Sequence, residues 1–117
     1  MTFYSGLLSN PGSTNTKLTN TSATVVVASA DQSQSVGKVH IANVDGAAPV
    51  VVSVDIHNGS SVVAILISGL SLASAGGYVD IYDILLDQGQ SLRVTSGDAD
   101  GQLHVHAIHS LTNIPGS

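Results

Sequence analysis

The chain has 117 residues, the size of one domain burying about 65% of its extended surface, and it contains no Cys, Trp or Glu. Without thiols there is no disulfide framework, no cysteine-ligated zinc and no iron–sulfur cluster. Three Lys and Arg against eight Asp give a net charge of -5, which removes the electrostatic source of a general grip on nucleic acid. The polar surface is built from hydroxyls instead, 25 Ser and Thr against 11 charged residues. With a mean hydropathy of +0.32, so neutral a surface favours close association with other protein.

In chain order, residues 1–22 read as an N-terminal arm, with the β domain at 23–117. The arm opens on an apolar cluster of Phe3, Tyr4, Leu7 and Leu8, then runs through SNPGSTNTKLTNTS without periodicity. Such a segment is an unstructured tail, a strand laid on its own domain, or an apolar tip ordered by a partner. From residue 23 the signal is β. TVVVAS at 24–29 is a first strand, 36–44 a second, and Pro49 opens a third in which Val50, Val52, Val54 and Ile56 share one face. Asn58-Gly59 predicts a two-residue type I′ hairpin turn, returning through 61–68. A loop over 69–77 leads to 78–86, where Val79 and Ile81 oppose Tyr78, Asp80 and Tyr82. Strands at 90–96 and 102–109 complete about seven. This pattern predicts an all-β antiparallel sandwich, jelly-roll or immunoglobulin-like, built from hairpins. Serines and glycines interrupt the apolar stretch 62–79, so it is not a membrane span, and the N-terminus lacks the features of a secretory signal. Synthesis in a cytoplasm is expected.

The chemistry-bearing residues are sparse. His104 and His106 point to one strand face and could meet at an oligomer axis or hold a metal with a third ligand from Asp55, His57 or a symmetry copy. Asp98-Ala99-Asp100-Gly101 starts like a calcium loop, but position 12 is His109 where a bidentate Glu is required, so it reads as a turn. Tyr78 and Tyr82, flanking Asp80, form a candidate sugar-stacking platform. No nucleophile elbow, phosphate loop or dinucleotide fingerprint is present, so neither catalysis nor a cofactor is expected.

Three stretches, VGKVHIANVDGAAPVVVSVDI, YVDIYDILLDQGQSLRVTS and GQLHVHAIHS, resemble the small β-sandwich virion proteins of tailed bacteriophages, of head decoration (cement) or head-spike base type. Leu85, Leu86, Gly89, Leu92 and Val94 fit the rhythm of that group over roughly the C-terminal two thirds. The resemblance implies a protein that binds the major capsid protein on the outer capsid surface and stabilises the head, commonly as a homotrimer, made in the host bacterial cytoplasm. Phe3, Tyr4, Leu7 and Leu8 are the expected capsid-contact residues. The competing expectations are a carbohydrate- or receptor-binding module of a tail or fibre, and a neck or tail component.

Overall fold

The computed structural model describes residues 11–29, 32–44, 48–98 and 103–111. Among them are eight strands and no helix: β1 (Pro11–Lys17), β2 (Thr24–Ala28), β3 (Gln34–Asn43), β4 (Val50–His57), β5 (Val62–Leu72), β6 (Tyr78–Leu86), β7 (Ser91–Ser96) and β8 (Leu103–Leu111). They form two four-stranded antiparallel sheets, a first in the order β1-β8-β3-β6 and a second in the order β2-β7-β4-β5. Every connection but β4–β5 passes from one sheet to the other, which is the interleaving of an eight-stranded jelly roll. The expected all-β sandwich is therefore observed, but not its assembly from hairpins. Turn residues specify that the chain reverses; they do not specify in which sheet the next strand lies.

Period-two patterning places the core. Val50, Val52, Val54 and Ile56 of β4 are buried as the alternation predicts, and so are Leu92 and Val94 of β7 and Leu103, Val105 and Ala107 of β8. With Val39 and Ile41 of β3 they form one cluster drawn from both sheets and made, among the described residues, wholly of aliphatic side chains. Asn43, fully buried at the end of β3, donates from Nδ2 to the carbonyls of Ala48 (2.9 Å) and Leu72 (3.2 Å), while its backbone bonds Gly76 and Gly77. Asn43 thus ties the β3–β4 and β5–β6 connections to the core.

Three local readings are refined or changed. Within the stretch read as an arm, Pro11–Lys17 follows the alternative of a strand laid on its own domain: it is an edge strand paired residue by residue with β8, and the neighbouring Leu18 is buried in the core. An edge strand held by main-chain hydrogen bonds needs few apolar side chains, so its sequence carries little signal. The Asn58-Gly59 turn does join a hairpin, but His57 pairs with Val62, leaving a four-residue loop. Only Gly59 has positive φ (96°); Asn58 Oδ1 closes the loop by accepting from the amides of Ser60 and Ser61. Finally, β5 continues through Gly69 to Leu72, where a loop was expected. Gly69 takes a left-handed φ of 68° beside shifts in the β4–β5 register, and strand pairing resumes beyond it.

Candidate functional site

The outer face of the first sheet gathers residues that lie far apart in sequence. Register sets them in three rows across the strands. Tyr82, Lys38, Ile108 and Ser13 form one row; Asp80, His40, His106 and Asn15 the next; Tyr78, Ala42, His104 and Lys17 the third. His104 and His106 share this face as predicted, and Tyr78 and Tyr82 share it with them. Two separate groups of candidates thus belong to a single surface. His40 and Lys38, which sequence reasoning had not placed there, complete it.

The middle row is linked by hydrogen bonds. His40 Nδ1 lies 2.6 Å from Asp80 Oδ1, and the Tyr82 hydroxyl donates to Asp80 Oδ2 at 3.5 Å. Lys38 Nζ stands 4.0 Å from the same carboxylate oxygen and 5.9 Å from the centre of the Tyr82 ring. The His40 ring tilts against Tyr78 with centroids 5.2 Å apart. His106 Nδ1 bonds the side-chain oxygen of Asn15. Ala42, short between Tyr78 and His104, leaves a depression of about 410 Å³ walled by Asn15, Lys17, His40, His104 and His106. Tyr78 and Tyr82 are 61% and 58% exposed, an unusual position for the largest apolar side chains of the described residues.

Asp55 and His57, named above as possible third ligands, lie on β4 of the second sheet. There Asp55 forms a two-pronged pair with Arg93 at 2.8 and 3.0 Å, which raises the Arg93 pKa through hydrogen bonding and charge. Neither can join His104 and His106, because the two sheets separate them. Among the described residues no three His or Asp side chains are grouped as a metal ion requires, so a metal at His104 and His106 would need a ligand from another copy. The capsid-contact candidates Phe3, Tyr4, Leu7 and Leu8 lie outside the described residues, as does most of the 98–101 turn.

No protein-family model matches the sequence, and no curated protein matches it. Solved structures do. The structure of infectious bursal disease virus Gx strain is similar with a TM-score of 0.50 and 9% identity, over 92% of this chain and 32% of that one. A pentameric capsid protein isolated from metagenomic phage sequences is similar with a TM-score of 0.46 and 15% identity, over 85% of this chain and 59% of that one. A Podospora anserina GH26-CBM35 β-(1,4)-mannanase follows with a TM-score of 0.40 and 12% identity, over 91% of this chain and 29% of that one. The chain thus spans less than two thirds of each. At these identities the likeness is one of fold alone, and it agrees with the β jelly roll that the strand order gives.

Proposed function

We propose that the chain is a structural protein of a phage virion, a decoration or cement protein that associates with its own copies and binds the coat lattice, without catalytic activity. The observation that carries this reading is β5. It forms an edge of the second sheet, is eleven residues long without a charged side chain, and leaves Val62, Val63, Ile65, Leu66 and Leu70 exposed. Edge strands of monomers are normally guarded by charge, proline or a covering segment.

Full burial of a large aliphatic side chain is worth about 1.5–3 kcal/mol, so five half-exposed ones leave on the order of 5 kcal/mol per copy uncollected. Two copies meeting through β5 approach the estimated 4–15 kcal/mol cost of association, a balance suited to a reversible oligomer. The other edges offer a poorer apolar complement: β1 carries Gly, Ser, Thr, Asn and Lys after its opening proline, and β2, at the far edge of the second sheet, exposes Val25 as its large apolar side chain. The best match for β5 is another β5, grouped about a rotation axis in a homotrimer. Phe3, Tyr4, Leu7 and Leu8 then remain to grip the major capsid protein on the outer surface of the shell.

Light scattering coupled to size exclusion tests the self-association. The wild-type chain should elute as a trimer and Ile65→Lys as a folded monomer. A monomeric wild type would sink the reading. Coat shells incubated with protein lacking residues 1–10 test the arm, since retention of full binding would remove it from the proposal.

A further inference from the structure

We propose that the depression over Ala42 binds a carboxylate-bearing sugar residue of the uronic-acid type, an activity that goes beyond the structural role above. The first argument is charge. Lys17, His40, His104 and His106 wall the depression and no carboxylate lines it, in a chain whose net charge is -5. Two of the three Lys and Arg of the whole sequence, Lys17 and Lys38, stand on this face. Its acid, Asp80, is already engaged by His40 and by the Tyr82 hydroxyl. It therefore orients the imidazole, and Lys38, 4.0 Å away, offsets its charge.

The second argument is shape and donor chemistry. A volume of about 410 Å³ lies at the small end of ligand sites and suits one or two sugar rings. Asp80 holds Nδ1 of His40, and Asn15 holds Nδ1 of His106, which leaves Nε2 of each ring to accept from a sugar hydroxyl, while Lys17 supplies the donor for a carboxylate. The third argument is the tyrosines. Tyr78 adjoins Ala42 in register, and its exposed ring offers a flat apolar surface to the C–H face of a pyranose, as does that of Tyr82 farther along the strand. A phosphate or an acidic peptide would use the cations and leave the rings idle; a neutral sugar would use the rings and leave the cations idle. A uronic acid uses both.

Isothermal titration with tri-galacturonate and with its methyl ester tests the proposal. The acid should bind, and the ester should bind at least tenfold more weakly than the acid. Ala42→Leu, which fills the depression from the solvent side, should abolish binding. Tyr78→Ala should weaken it about fivefold. Lys17→Gln offers a second variant, expected to weaken binding of the acid alone, should Ala42→Leu fail to fold. Equal binding of acid and ester, undiminished binding by Ala42→Leu, or no heat with either sugar would overturn the proposal. So would inorganic phosphate or poly-glutamate binding as tightly as the sugar acid without dependence on Tyr78. Ile65→Lys lies on the other sheet and should bind the sugar normally, so failure of the self-association model leaves this test readable.

Discussion

Asn43 sits where β3 ends, fully buried, and its side-chain amide donates to the carbonyls of Ala48 and Leu72. Replacing it with alanine strips the buried Leu72 carbonyl and the part-buried Ala48 carbonyl of a donor, at a cost of about 2–3 kcal/mol. Urea unfolding of Asn43→Ala should show a lower midpoint with an unchanged slope. The Asp55–Arg93 pair is different in kind, since both side chains keep about a fifth of their surface exposed (19% and 21%). Asp55→Asn should cost about 1–2 kcal/mol. The pH dependence follows from the raised Arg93 pKa. A group whose folded-state value lies above its unfolded value contributes fully below the unfolded value and loses that contribution as pH rises through the folded one. For an arginine both lie far above neutrality, so the Asp55→Asn penalty should be flat from pH 6 to pH 9 in urea titrations.

At the scale of elements, β1 carries the main consequence. Its seven residues pair with β8 from Pro11↔Ser110 to Lys17↔His104, and the Leu18 amide extends the contact to the Leu103 carbonyl. Removing residues 1–10 should leave the melting temperature within a degree or two of the full chain. Removing residues 1–22 takes away an edge strand and the Leu18 side chain together. It exposes the β8 edge, and that protein should aggregate or melt at least 10 °C lower by circular dichroism. β5 is the counterpart on the other sheet: its alternation is blurred because the strand is apolar on both sides and carries register shifts. Its faces could not be assigned in advance for that reason.

The whole molecule is governed by interleaving. β1 pairs with β8, and β3 with both β6 and β8, so most strand pairs join distant parts of the chain and only β4–β5 is local. Closing such long loops before any contact rewards them makes folding slow. Refolding of the monomeric Ile65→Lys variant should proceed on the order of milliseconds to seconds. Because both sheets contribute to one aliphatic cluster, its equilibrium unfolding should be a single transition by both fluorescence and circular dichroism. The same interleaving builds the outer face of the first sheet, whose residues come from β1, β3, β6 and β8. A site composed in this way exists only once the entire sheet has formed.

The sequence by itself determined the β class, most of the strands and the side to which their residues point, because alternation with a period of two is a local property. Val50, Val52, Val54 and Ile56 turned inward as read, and His104, His106, Tyr78 and Tyr82 turned outward. β1 stood as one of three alternatives for the arm, because Gly, Ser, Thr and Asn can form an edge strand through the backbone alone and leave no periodic signal. Which faces adjoin was decided by the tertiary structure. His40 meets His106 across 66 positions and Asp80 across 40, and no local pattern records such pairings, since register between distant strands follows from the packing of the whole core.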